Sequence, residues 1–342
     1  MLGRGSLPRY VAQRLLLTIP MVWLLLSLVF ILLRVAPGDP VSASVGSRLS
    51  EEALDERRAA LGLDRPLIVQ YFEYLGEVAR LDFGTTVSDG RPVLEVVRDS
   101  GGVTLTLAVA ALVVALCVGL PGGLISARLR DGVADTGIRL FGVVTYATPV
   151  FFTGLLAQLL FAVKLGWFPT SGNASPITRF EVEPVTHILL LDAVIAGNTD
   201  ATLEILHYLV LPAVTLGLLL CGVFIRLVRV SMLQTLQSDY VEAARARGIP
   251  ERPVIWRHGF RNALVPFVTI LGLQVSILMS GAVLTETTFN LPGLGLALLN
   301  YIEGRDYVAV QGIISLFALV VVAISILVDI VNALIDPRVR YS

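Results

Sequence analysis

Lysine is almost missing from this 342-residue chain: Lys164 stands alone, and the other basic residues are arginine. Lys164 is followed by Leu165 and Gly166, so there is no Gly-Lys-Ser/Thr phosphate loop and ATP is not bound in that way. Cysteine is scarce too. Cys117 and Cys221 both lie in apolar runs, which reads as packing of small side chains and excludes a disulfide framework. His187, His207 and His258 share no ligand spacing, and no serine sits in a nucleophile motif. Neither a metal centre nor covalent chemistry is therefore expected. Charged residues make up only 15% of the chain against 55% hydrophobic, with a mean hydropathy of +0.78. That is too apolar for an ordinary soluble protein, and no barrel-type alternation is present.

What is present is a set of long apolar runs, several above the roughly 18 residues that cross a bilayer. Six spans are expected, at 15–33, 103–127, 140–163, 207–227, 263–285 and 308–335. The first is long for a signal sequence and lacks a small-residue cleavage site, so it reads as a retained span. Arg34–Pro40, with two prolines and a glycine, closes it. Pro121 and Pro149 fall within spans, where neighbouring helices can satisfy the backbone groups they free. Between the spans lie segments 1–14, 34–102, 128–139, 164–206, 228–262, 286–307 and 336–342. Segment 34–102 should hold two helices. One begins after Ser50 with Glu51 and Glu52 in its first turn. The other opens at Pro66, with Leu67, Tyr71, Tyr74, Leu75 and Val78 on one face. The patch His187–Ala196 is too short to span and reads as a surface helix.

The charges choose a side. Residues 1–14 carry three arginines and no acid, and 226–261 carry seven arginines against three acids. Residues 128–139 and 336–342 each sum to +1. Residues 38–98 carry seven bases against eleven acids, and 164–206 two against five. Arginine excess marks the cytoplasmic face. Both termini and the loop 228–262 are therefore expected in the cytoplasm.

The most informative stretch overlaps that loop and runs from Ser231 to Leu264. Asp239-Tyr240-Val-Glu242 fits a capping box, with Asp239 taking the first free amides and Glu242 reaching back. Ala243 and Ala244 continue a two-turn helix, Gly248 falls where a left-handed residue ends it, and Pro250 stops the run. Two small residues let a partner approach the backbone, and Arg245, Arg247, Arg252, Arg257 and Arg261 offer forks for carboxylates. The plainer reading is a solvated loop with local helicity.

Glu242-Ala243-Ala244 with Gly248 resembles the EAA signature of bacterial ABC-importer permeases. Arg229-Val-Ser-Met-Leu, Asp239-Tyr240-Val, Ala244–Gly248 and Arg261–Pro266 resemble the dipeptide/oligopeptide subfamily. So do Leu61–Pro66, Val69–Tyr71, Asp82–Gly84 and Leu165–Gly172. Pro266 lies 18 residues beyond Gly248, farther than in the generic pattern but as in the peptide subfamily. The resemblance implies an all-α polytopic membrane protein of six transmembrane helices, the type I permease fold with extracytoplasmic helical loops, in the bacterial plasma membrane. It implies a second homologous permease, two ABC ATPases that hold ATP and Mg, an extracytoplasmic peptide-binding protein and a peptide substrate. No cofactor on this chain and no nucleic acid are implied. Asp239, Tyr240, Glu242, Ala243, Ala244, Arg245, Arg247 and Gly248 would then form the ATPase-coupling helix.

Polar residues inside spans are costly and are functional candidates by default. Gln158, Gln274 and Ser276 are candidate pore-lining residues, although helix–helix hydrogen bonding is the favoured use of Gln274. Phe289, Pro292 and Gly293 are candidates for an outer gate. Asp329 and Asn332 sit near the cytoplasmic end of the last span, where a cap or an arginine partner accounts for them. The same architecture also serves importers of nickel, glutathione or oligosaccharides. A gradient-driven secondary transporter is the competing class, disfavoured by the few acids in the spans and the lack of an evident inverted repeat.

Overall fold

A computed structural model describes residues 7–35, 64–260 and 282–335, with isolated positions between 52 and 59 and between 267 and 278. The helix expected after Ser50, most of the fifth span with Ser276, the segment Arg261–Pro266 and the tail from Asp336 lie outside the described residues. Among the described residues the chain is helical, apart from one isolated bridge between Thr85 and Pro92.

The helices are α1 (Leu7–Val35), α2 (Leu67–Ala79), α3 (Val93–Arg128), α4 (Val133–Ala147) and α5 (Val150–Ala157), which runs on as a π-helix over Gln158–Lys164. They continue as α6 (Pro176–Glu181), α7 (Leu189–Ile195), α8 (Thr199–Leu236) and α9 (Asp239–Ala246). One turn, α10 (Glu251–Pro253), leads into a second π-helix, Val254–Phe260. Then come α11 (Ala282–Phe289), α12 (Leu294–Glu303) and α13 (Tyr307–Ile335). Among the described residues four helices are long and apolar enough to cross a membrane, or up to six spans if each of two bent pairs counts as one.

Two sequence expectations are corrected here. The run 140–163 is not one helix: α4 and the α5 segment meet at 103°. Thr148 is extended before Pro149, because the proline ring excludes the helical conformation from its predecessor. The helix that holds 207–227 extends beyond it at both ends. α8 runs 38 residues, about 57 Å at the helical rise, so Ser231–Leu236 of the supposed loop is still helix. Residues 286–307 are mostly helical, divided between α11, α12 and the start of α13. Pro121 and Pro212, by contrast, sit within continuous α3 and α8.

Two compact units are distinguished. One is drawn from Met1–Gly102 and Gly293–Ile330, the other centres on Val103–Pro292. In the first, Leu26 and Phe30 of α1 pack with Tyr74 and Val78 of α2, Val93 of α3 and Ile313 of α13. Of the face read for α2, Tyr71, Tyr74, Leu75 and Val78 pack, while Leu67 is exposed. Tyr74 shares a hydrogen bond with Ser315 (2.7 Å) and Tyr71 with Ser27 (2.6 Å). Burial raises the Tyr74 phenol above its ordinary pKa. Buried Asp306 accepts from the Ala309 amide at the start of α13 with one oxygen, and from the Val87 and Ser88 amides with the other. Asp329 has the arginine partner the sequence allowed for: Arg14 of α1, at 3.4 Å.

In the second unit α8 is the axis. Within its most apolar window 61% of residues are buried, against 17% for α1 and α13. It packs along α4 at a point where both helices are glycine: a Cβ on Gly222 would lie 2.1 Å from the Gly142 carbonyl oxygen. Nothing larger than glycine fits such an approach. Phe224, Leu216, Leu220 and Met232 of α8 fill the core with Leu107 and Ala111 of α3.

Candidate functional site

The end of α8 carries the candidate site. Ser238 stops α8 by turning its hydroxyl back to donate to the Thr235 carbonyl (2.5 Å). Its own backbone is extended, and its carbonyl accepts from the amides of Val241 and Glu242, which starts α9. The expected capping box is therefore corrected: the N-cap is Ser238, one residue earlier, and no side chain caps the helix. Asp239 and Glu242 lie in the first turn, where their charges favour the positive end of the helix dipole.

The other end of α9 follows the sequence expectation. Gly248 takes φ +75°, and its amide donates to Arg245 O (2.9 Å) while the Ile249 amide donates to Ala244 O (3.3 Å). This paired reversal is the Schellman arrangement, and the apolar contact that accompanies it is also present. Val241, Ala244 and Val254 are buried together with Leu236 and Ile249 against them.

That small core separates the two alanines. Residues adjacent on a helix point about 100° apart. Ala244 is buried on its own chain, whereas Ala243 is exposed beside Tyr240, Glu242 and Arg247. A partner could meet Ala243 but not Ala244, which corrects the expectation that both serve a close approach. Arg245 is engaged within the chain as well: it holds Glu251 through Nη2 (2.8 Å) and Nε (3.2 Å) and donates to Leu236 O. The guanidinium keeps the Glu251 carboxyl below the usual carboxylate range. Arg252 is exposed, while the side chain of Arg257 and all of Arg261 lie outside the described residues.

Two turns before α8 ends, Arg229 reaches across to α4. Its Nε and Nη2 bind the two oxygens of Asp135 at 2.8 and 2.7 Å. Ser126 of α3 and the Asp131 amide also donate to that carboxylate, at 2.5 and 3.0 Å. Asp135 is fully buried. Sequence reading missed this pair, taking Asp135 as a loop charge and Arg229 as a loop charge within a family motif. The partners are 94 residues apart, and no local spacing signals them.

Gln158 donates to Thr170 O (2.8 Å) and Thr288 O (3.0 Å), so its amide holds the chain after the π-helix to the end of α11. Gln274 is nearly buried and lines a cavity of about 1000 Å³ between α4 and α8, with Arg139, Tyr146 and Arg226. Phe289 is buried over Gly154, and its carbonyl accepts from the Gly172 amide (2.9 Å). Pro292 is partly exposed, and Gly293 is the N-cap of α12. Thr104 donates to buried Glu286 at 2.6 Å. Among the described residues no group of His, Cys, Asp and Glu could hold a metal ion.

Long apolar helices, breaks at prolines and a capped polar helix beyond the end of a span define a multi-pass membrane protein. Comparison with known proteins makes the class specific. Residues 119–341 match the model for the binding-protein-dependent transport system inner membrane component, and residues 7–108 match the N-terminal model of such membrane components. The chain belongs to this family and is a permease component of the inner membrane. It is similar to the di/tripeptide transport system permease protein DppB of Pseudomonas aeruginosa, 38% identical over 97% of this chain and 98% of the relative. The dipeptide transport system permease protein DppB of Escherichia coli K12 is 36% identical over 97% and 99%. A probable D,D-dipeptide transport system permease of the same strain is 37% identical over 91% of each.

Proposed function

We propose that this chain is one transmembrane half of an ATP-driven importer of di- and oligopeptides. It crosses the membrane six times with both termini in the cytoplasm. A second permease completes the path, two ATPase subunits supply the energy, and an extracytoplasmic binding protein delivers peptide. This chain makes and breaks no covalent bond and carries no cofactor of its own. Relatives named for dipeptide transport, aligned over nearly the whole chain, support the substrate class.

The observation that carries the mechanism is α9. Eight residues, closed by Gly248 and seated on Val241 and Ala244, form a short rigid strut beyond the end of α8. Its outer face offers Tyr240, Glu242, Ala243 and Arg247 to an ATPase groove. Closure of the two ATPases moves that strut, and α8 carries the motion into the spans as a rigid body. Gln274 and its cavity would line the path, with Phe289, Pro292 and Gly293 at the outer gate. Uptake of labelled dipeptide, scaled to membrane abundance, tests the assignment. Glu242→Ala and Ala243→Trp should abolish uptake while the complete complex still hydrolyses ATP. Normal uptake in both variants would refute the coupling role.

A further inference from the structure

A second open cavity, also of about 1000 Å³, lies beside the end of α3. One wall is apolar: Leu120, Leu124 and Ile125 come from the last turns of α3, a helix long and apolar enough to span. The opposite wall is the second π-helix, with Ile255, Phe260 and Trp256, the last 51% exposed and edge-on to Phe260. The rim is basic. Arg245 there is neutralised by Glu251, but Arg128 and Arg252 have no ion-pair partner among the described residues.

We propose that this groove binds an anionic phospholipid, its acyl chain against α3 and its headgroup between Arg128 and Arg252. Three observations converge on that occupant. The apolar wall is continuous with a membrane span, so acyl chains already meet it. Arg128 ends that span, at the depth of lipid headgroups, where unpaired arginines attract anionic lipid. Trp256 supplies the amphipathic ring that favours the boundary between chains and headgroups. A bound lipid would bridge the end of α3 and the segment that follows α9, and so tie the proposed strut to the cytoplasmic leaflet. The inference rests on α3 crossing the bilayer and not on α9 touching an ATPase.

The test uses the full chain in nanodiscs, with Trp23→Phe and Trp167→Phe leaving Trp256 as the sole tryptophan. Brominated phosphatidylglycerol is compared with brominated phosphatidylcholine at equal mole fraction. Phosphatidylglycerol should quench Trp256 more strongly, and Arg128→Gln with Arg252→Gln should cut that preference on the order of tenfold. Equal quenching by the two lipids overturns the proposal, as does a preference that survives loss of both arginines. Absence of quenching by either lipid overturns it too, since protein would then cover the groove. Should the arginine variant fail to fold, the comparison of the two lipids on the unaltered rim decides alone.

Discussion

Arg229 of α8 and Asp135 of α4 form a two-pronged ion pair at 2.7 and 2.8 Å, with the carboxylate wholly shielded from solvent. The pair joins two helices whose backbones meet at Gly142 and Gly222, and it lies two turns from where α8 hands over to α9. A movement of α9 that reaches α8 is thereby delivered to α4 as well.

Removing Asp135 strips Arg229 of its carboxylate, and removing Arg229 leaves the buried carboxylate with only the longer contact to Arg139 at 3.8 Å, a loss of up to about 3–5 kcal/mol. Asp135→Asn and Arg229→Met should each reduce membrane abundance and thermal stability sharply. The joint change Asp135→Leu with Arg229→Met should recover much of both. The exchange Asp135→Arg with Arg229→Asp should not, because the Ser126 hydroxyl and Asp131 amide would then point donors at a guanidinium. Thermal unfolding of the four purified variants checks the order.

At the helix crossing the expectation is steric. Gly222→Ala must push α4 and α8 apart, since its methyl would fall 2.1 Å from a backbone oxygen. Overpacking of this kind costs about 1–3 kcal/mol. Gly137→Ala, on the same α4 but with nothing within 4 Å, should instead stabilise by about 0.5–1 kcal/mol. Melting temperatures moving in opposite directions would bear this out.

Gly248 poses a different problem, because a Cβ there meets nothing within 4 Å and only φ +75° is at issue. Gly248→Ala should cost about 1 kcal/mol, Gly248→Asn less, and Gly248→Val most. Peptide uptake should follow the same order. Loss of uptake with Asn equal to that with Val would mean that the side chain itself obstructs a partner.

The Arg245–Glu251 pair predicts a pH dependence. The folded-state carboxyl of Glu251 titrates below its unfolded value, so its stabilisation is fully present above about pH 4.3. It is lost as pH falls through the depressed folded value. Both side chains are about half exposed, so the effect is below about 1 kcal/mol. The stability difference between the native chain and Glu251→Gln should be flat from about pH 5 to 8 and shrink in acid. A difference that grew on acidification would reverse the sign.

Much of this was legible in the chain itself. Hydropathy found the long apolar helices α1, α3, α8 and α13 because burial in lipid demands long apolar runs. Gly248 and Pro250 announced the end of α9 because backbone stereochemistry leaves few alternatives. What stayed hidden depends on contacts distant in sequence. Ser238 displaced Asp239 as the cap because α8 ran nine residues into the supposed loop, to Leu236. Val241 and Ala244 turned inward only because Val254 was there to receive them. Asp135 and Arg229 looked like two loop charges until α4 and α8 were laid side by side.

The most direct test of the central claim is site-specific cross-linking of α9 to the ATPase in the assembled complex. With Cys117 and Cys221 replaced by serine, a cysteine is introduced at position 243 or 244 and treated with a short thiol–amine cross-linker. Ala243→Cys should trap the ATPase subunit, and Ala244→Cys, turned toward Val254, should not. Equal trapping from both positions, or from neither, would contradict a coupling helix docked by the face described.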